Sequence, residues 1–520
     1  MSNTEFDLIV IGAGATGSSI ALEASKRNLK VALLDAGDIS GGTSCRSTKL
    51  LHGGVRYLEL AFKNLDLAQL TLVREALIER GHWLKQAPFL AHQIELTIPM
   101  ENCFKKAYYG IGLSIYDTLA GNTRIAKSRM ISVEEMEKSL PLLKRFPNGG
   151  VVYSDGQFDD ARLNILIALT AEKNGAILET YCKVVDFEYK PTGEIKGVIT
   201  RSISGGTKRW SSKAVVNATG IKVDSLRRKA DNDLDHRIIA SRGVHLVLEE
   251  NLCPQKSGIL LPSTDDGRVM FILPFYGHTL VGTTDTQCKI EDAHKPSKQE
   301  ELYLIHHLTK LFPKLKSPIP TSSWSGARPL LKTNNSQSSS QIVREHEIEI
   351  LPCGLITAMG GKWTTCRKIA LDTLNALETL FARKLPEPKN IPLMGSHLDP
   401  DQTKNLLKTQ FTQLRECLPK TNHSHKQISH LQTKYGLNAL NIIKKSNPEN
   451  LFPLSESLPL CKAEIYHDII FEHAKTPTDL LARRSRLAMI NLEEAKRLLP
   501  IIQECLEESS LPCGELNLEA

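Results

Sequence analysis

Apolar residues come in unbroken blocks at the start of this chain. The segment FDLIVIGAGATGSSIALEASKRNLKVALLD, from Phe6 to Asp35, places two such blocks on either side of a glycine turn and a helical stretch. Blocks of this kind predict strands buried on both faces of a parallel sheet. A second piece of the same texture has a helix at 160–174, strands around 176–199, and then KAVVNATG, which ends on Ala218, Thr219 and Gly220. A third, CGLITAMGG, is a strand ending on paired glycines, and it opens a helical stretch from Lys362 to about Arg383. Strand ends that finish in small residues are expected to converge on one side of a parallel sheet, where such folds bind ligands. Between these pieces, VHLVLE, RVMFILPFY and HTLVGTTD within 237–290 are strand-rich and alternating, which suits an antiparallel sheet with one face over a substrate. From about residue 397 the spacing is helical, while TNNSQSSSQ at 333–341 predicts a surface loop. A chain of 520 residues exceeds one core, and the division expected is a discontinuous nucleotide-binding domain (1–72, 155–225, 325–385), a substrate domain (73–154, 226–324) and a C-terminal helical domain (397–520).

The glycine turn says what the first domain holds. Gly12 makes the tight turn, Gly14 lets the backbone approach a pyrophosphate, and Gly17 lets the helix pack closely. Asp35 ends the second strand roughly 20 residues on, where a carboxylate accepts hydrogen bonds from a ribose hydroxyl. The run that follows, GDISGGTSCRSTKLLHGGVRYLE, is rich in small and hydroxyl residues that a nicotinamide domain does not need there. It suits passage along a pyrophosphate and under a flavin, with Ser44, Ser47 and Thr48 as donors.

Composition narrows the setting. At 41% apolar and 24% charged the chain is an ordinary globular protein, and a net charge of +7 is too modest at this length to imply nucleic acid. It leaves room for an anionic substrate or an acidic membrane surface. The 11 cysteines are scattered without a CxxC pair, as free thiols are in a reducing compartment. MSNTEF leads straight into a core strand, and no run of about 18 apolar residues occurs, so the expectation is an intracellular protein whose membrane contact is peripheral. The stretch FKKAYYGIGLSIYDTLAG at 104–121 mixes lysines, tyrosines and apolar residues as an interfacial helix does; burial against a neighbouring domain is the alternative.

SCRSTKLLHGGVRYLE, with SGARPL at 325–330, VREH at 343–346 and GGKWTT at 360–365, closely resembles the FAD-dependent glycerol-3-phosphate dehydrogenase family, and the order of the motifs is the same. The similarity runs from about residue 5 to 385 and resumes in AEIYHDIIFEHAKTPTDLLARRSRLAM. The resemblance implies an α/β fold class: a Rossmann-type FAD-binding domain of the glutathione-reductase and D-amino-acid-oxidase kind, a mixed β-sheet substrate domain and the C-terminal helical domain. It implies FAD, taken as noncovalent because no attachment motif is evident, sn-glycerol 3-phosphate as substrate, a membrane quinone as acceptor, and a place on the inner face of the cytoplasmic membrane; a homodimer is possible. No DxDxDG loop occurs, so a calcium-binding extension of the mitochondrial kind is not expected.

Flavin oxidation of a secondary alcohol needs a hydride path, a base and a handle. His52, in LLHGG, is the candidate base, since an imidazole titrates near neutrality, and the resemblance favours this over a turn residue. By resemblance Arg56, Arg344 and Lys362 hold the substrate phosphate and Tyr57 adds a hydroxyl. Arginine meets two phosphate oxygens at once, whereas lysine acts as a point charge. Arg328, in SGARPL, is placed near the substrate hydroxyl carbon, where it stabilises a developing alkoxide; the family usually has a larger residue than Ala327 before it. Gly220, Gly361 and Lys362 complete the cofactor contacts, the helix start after Gly361 pointing positive charge at the flavin ring. The Arg483, Arg484 pair reads from the sequence as the solvated basic face of a packing helix. Alternatives are a glycerol-3-phosphate oxidase using oxygen, whose characteristic inserted segment is not seen, and a flavin-binding protein without turnover.

Overall fold

A computed structural model describes residues 5–55, 67–254, 257–332 and 345–519. The apolar blocks at the start form the centre of a six-stranded sheet in the order His346–Ile350, Leu355–Gly360, Val215–Asn217, Leu8–Ile11, Val31–Leu34, Ile177–Glu179. The pairs are parallel except for the terminal hairpin of His346–Ile350 with Leu355–Gly360. All four residues of LIVI and of VALL are buried, because each face is covered. Helices Ala15–Ser25, Asp160–Lys173 and Cys366–Phe381 contribute to one core. On the other side a three-stranded antiparallel sheet, Cys182–Tyr189, Ile195–Ser202 and Thr207–Ser211, shares a core with Ile9, Ile11 and Leu34 around Trp210. The parallel core is therefore assembled from segments hundreds of residues apart.

The second sheet is mixed, and its main path includes Ile238–Leu248, His278–Gly282, Met270–Phe275, Ser257–Leu261, His92–Pro99 and Gly150–Gln157. Ser322–Leu331 pairs with Ile238–Leu248 from Ile238 to Val247, so SGARPL belongs to this sheet rather than opening the third piece of the nucleotide domain. Leu50–Leu51 joins the same sheet, which brings the segment after the glycine turn under it. The segment between Leu34 of the first sheet and Leu50 of the second thus links the two.

The C-terminal part is helical, and it is not an independent bundle. Helices Pro400–Cys417, Ser424–Tyr435 and Ala439–Lys444 enclose a small core of their own. From Leu458 onward, residues such as Ile465, Leu480, Leu487 and Leu498 share one core with Leu273 and Trp324 of the second sheet. Buried charges hold the remaining contacts. Arg162 of the Asp160–Lys173 helix donates to Glu472 Oε1 at 2.7 Å and to the Lys434 carbonyl at 2.5 Å.

The expectation for Arg483 and Arg484 is corrected. They lie in a π-helical turn, Asp479–Arg484, and are buried, with Arg483 Nε on Asp38 Oδ2 at 2.6 Å and Arg484 Nη1 and Nη2 on the two Asp38 oxygens at 2.6 and 2.8 Å. Those oxygens belong to the loop after the second strand. Two guanidiniums on one buried carboxylate give it the compensation that burial of a charge demands. All 11 cysteines are free thiols.

Candidate active site

A cavity of about 1140 Å³ opens between the two sheets and the C-terminal segment. That exceeds the ~300–1,000 Å³ of a single small-molecule site and leaves room for a dinucleotide together with a substrate. Its walls include Asp35, Lys183, Val184 and Gly220 as well as His52, Phe271, Arg328 and Lys362.

The glycine turn is built as its spacing predicts. Gly12 has φ +105°, a conformation open to glycine, and a Cβ there would stand 2.7 Å from the Ala218 carbonyl oxygen. A Cβ on Gly17 would lie 1.8 Å from the Gly12 oxygen, so the third glycine packs helix against turn and stays behind the cavity wall. Gly14 lines the cavity, and its Cβ would meet Ser44 Oγ at 3.0 Å. Asp35 accepts from the Ala13 amide at 2.6 Å and the Gly37 amide at 2.8 Å. Burial pushes its carboxyl up, while those two amides oppose the shift. This cradle, with strand ends at Thr219 and Gly360 opening on the same space, fits the pyrophosphate and ribose of FAD.

The hydroxyl-rich run lines the wall, but part of its bonding capacity is used internally. Ser44 Oγ accepts the Ala15 amide at 2.9 Å, and Ser47 Oγ accepts the Lys49 amide at 3.0 Å. Thr48 Oγ1 pairs with His245 Nε2 at 3.0 Å. Beneath them Lys49 is fully buried, 2.8 Å from Asp160 and 4.4 Å from the Trp324 ring centre. Burial pulls its ammonium down to about 8 against the attraction of Asp160.

His52 is half-buried in the cavity wall, and its backbone N–H donates to Thr364 Oγ1 at 3.3 Å. That bond ties it to the turn carrying Gly361 and Lys362, both of which line the cavity. Lys362 precedes a short 3-10 turn, Trp363–Thr365, and the α-helix proper begins at Cys366. The helix therefore starts four residues later than its pattern predicts, although Lys362, Trp363 and Thr364 still present their turn to the cavity. Arg328 donates to Thr283 Oγ1 at 3.0 Å and to the Thr284 carbonyl at 3.1 Å; a Cβ on Gly243 would come within 2.7 Å of its Nη2. Arg56, Tyr57 and Arg344 lie outside the described residues.

Several cavity residues were not legible in the sequence. His245 stacks on Trp324 with ring centres 4.5 Å apart, and burial, then Lys49 and Arg328, hold its imidazole well below the usual range, hence neutral. A Cβ on Gly282 would stand 2.3 Å from this ring, so the glycine is what admits it. The only local signal for His245 was its place in an alternating strand. Arg46 is buried and donates to the carbonyls of Gly42 at 2.8 Å and Leu518 at 3.0 Å, which draws the segment with Gly514, Glu515 and Asn517 onto the cavity. Among the described residues no group of metal-ligating side chains is gathered, and no helix is long and apolar enough to cross a membrane.

Comparison with known proteins agrees with this architecture. Residues 7–366 match the FAD-dependent oxidoreductase family, and residues 387–510 match the C-terminal domain of alpha-glycerophosphate oxidase. The probable mitochondrial glycerol-3-phosphate dehydrogenase of Dictyostelium discoideum is 38% identical over 96% of this chain and 80% of its own length. The mitochondrial glycerol-3-phosphate dehydrogenase of Homo sapiens is 36% identical over 97% of this chain and 70% of its own. The structure of the Bacillus halodurans glycerol-3-phosphate dehydrogenase complexed with FAD superposes with a TM-score of 0.77 at 27% identity, covering 98% of this chain and 92% of that one. The chain is a flavoprotein with FAD as its cofactor, and it belongs to the FAD-dependent glycerol-3-phosphate dehydrogenase family.

Proposed function

We propose that this cavity oxidises sn-glycerol 3-phosphate to dihydroxyacetone phosphate and that the electrons pass on to a membrane quinone. The observation that supports the reading is that His52, Arg328 and Lys362 line the same cavity as Gly12, Gly14 and Asp35 of the dinucleotide cradle. Bound FAD supplies the acceptor for the hydride that leaves C2. His52 takes the proton of the C2 hydroxyl. Arg328, a permanent cation, stabilises the charge that develops on that oxygen and does not itself act as base. Lys362 grips the phosphate together with Arg56, Arg344 and Tyr57, as the resemblance implies. His245 is a poorer base because it is enclosed, and its Nε2 is occupied by Thr48.

The phosphate handle connects residues to substrate choice. A hydrogen bond to a charged group contributes about 1.5–3 kcal/mol, so Lys362→Met and Arg344→Met should each lower kcat/KM for glycerol 3-phosphate by roughly 10- to 150-fold. Glycerol, which has no phosphate, should be a very poor substrate from the outset and lose little more. Both compounds are measured with an artificial acceptor; equal proportional losses would assign these cations to the fold or the flavin instead.

The helix Cys103–Leu119 supports peripheral contact with the inner face of the cytoplasmic membrane. Leu113 and Tyr116 face the core, while Phe104, Tyr108 and Ile111 stand 82%, 50% and 64% exposed along the opposite face, with Lys105 beside them. Apolar residues one helical turn apart flanked by lysine suit an interfacial helix. The protein should sediment with phosphatidylglycerol vesicles at low salt, and Phe104→Ser with Ile111→Ser should release it. Sedimentation unchanged by the double substitution, or absent from the parent, would remove this surface from consideration.

A further inference from the structure

The buried face of the same helix reaches the turn that carries His52. The Gly53 amide donates to Tyr116 Oη at 2.7 Å, and Tyr116 Oη lies 3.0 and 3.1 Å from the two oxygens of Asp155, to which it donates. Asp155 in turn accepts from Arg80 Nη1 at 2.7 Å, and Arg80 is fixed by the carbonyls of Thr123 at 3.2 Å and Ser154 at 3.3 Å. Tyr116, Asp155 and Arg80 are all buried. The contact is also steric: a Cβ on Gly53 would stand 2.9 Å from Tyr116 Cε2 and 2.8 Å from Leu77 Cγ, so the bare backbone lies directly on the ring.

Two successive amides are thus held by side chains from different elements, His52 by Thr364 and Gly53 by Tyr116. The hydroxyl can serve the amide as acceptor because the Asp155 carboxylate takes its proton in a hydrogen bond. Burial raises Asp155 to about 6 against the pull of Arg80, which leaves it ionised at neutral pH. A general base works only within hydrogen-bond reach of the proton it removes, and a misplacement of about 1 Å costs up to about 10²-fold. Buried hydrogen-bonded networks are a means by which a fold sets such a position.

We propose that Tyr116 is a positioning residue for His52, its hydroxyl, oriented by Asp155 and Arg80, holding the Gly53 amide and thereby the placement of the imidazole in the cavity. The inference rests on the reading of His52 as the base. Tyr116 does not line the cavity itself; Tyr153, whose ring centre is 6.1 Å away, stands in the wall.

Tyr116→Phe keeps the ring under Gly53 and removes only the hydroxyl. In the FAD-loaded protein, anaerobic mixing with glycerol 3-phosphate should show the limiting rate of flavin bleaching reduced about 3- to 10-fold, the loss expected for one hydrogen bond. Substrate Kd and FAD content should remain at parental values. In a His52→Ala background the same substitution should change nothing further, since residues acting as a unit are not additive. An unchanged limiting rate in Tyr116→Phe would overturn the proposal, as would an equal loss in the His52→Ala background, which would mark a general structural effect. A parental rate in His52→Ala alone would overturn the base reading and this inference with it, whereas a slow His52→Ala beside a normal Tyr116→Phe overturns this inference alone. If Tyr116→Phe does not fold, Asp155→Asn, which replaces the charged acceptor of the hydroxyl by a neutral amide and so weakens its hold on the Gly53 amide, serves the same comparison and should show a loss of the same kind that disappears in the His52→Ala background.

Discussion

His52→Ala should slow anaerobic reduction of bound FAD by glycerol 3-phosphate by about 10²–10⁴-fold, with FAD content unchanged. The imidazole stands half-buried in the wall of the cavity that Arg328 and Lys362 also line, and its backbone N–H is tied to Thr364. Removing the ring therefore takes away a proton acceptor without touching the glycine turn. Substrate affinity should change little, because the phosphate is held by cations. Stopped-flow bleaching at saturating substrate reads the effect, and a parental rate would place the base elsewhere.

Gly14→Val should weaken FAD binding by about 100-fold or more, the equivalent of losing two or more charge-assisted hydrogen bonds at the pyrophosphate. Gly14 caps the Ala15–Ser25 helix at the cavity, and even a Cβ would stand 3.0 Å from Ser44 Oγ. The branched side chain would then project into the space a pyrophosphate needs, while the sheet behind stays intact. Gly12 and Gly17 are different cases: substitution there meets backbone at 2.7 and 1.8 Å and should damage the fold itself. The measurement is flavin absorbance of the purified variant and its Kd for added FAD. Wild-type occupancy in Gly14→Val would remove the cradle assignment.

Features encoded over a few neighbouring residues are the ones that the order of amino acids discloses. Glycines at 12, 14 and 17 followed by Asp35 define a turn whose geometry each residue enforces locally, and the apolar blocks around it dictate a doubly covered parallel sheet. Ser44, Ser47, Thr48, His52 and the Gly360–Lys362 turn stand out in the sequence because short motifs carry them, and all of them line the cavity. Even so, Ser44 and Ser47 spend their oxygens on the amides of Ala15 and Lys49, which a local motif does not reveal.

Arg483 and Arg484 show where local patterns stop being informative. A basic pair on a helical stretch is ordinarily solvated, and nothing within a turn of it says otherwise. Their partner, Asp38, is 445 and 446 residues away, and the choice between a solvated face and a buried clamp is made when the C-terminal core closes on the first domain. His245 became a cavity residue because Gly282 and Trp324 leave a slot for its ring. Tyr116 reached Gly53 because the second sheet brings Asp155 beneath the Cys103–Leu119 helix. The dinucleotide turn and the cofactor class follow from the amino-acid order, since each depends on spacing along the chain, while the charged candidates come from the resemblance of short motifs. Which buried charges pair, which imidazole is enclosed and what holds the His52 turn are settled only when the chain folds, because those outcomes depend on desolvation and on partners that no local period connects.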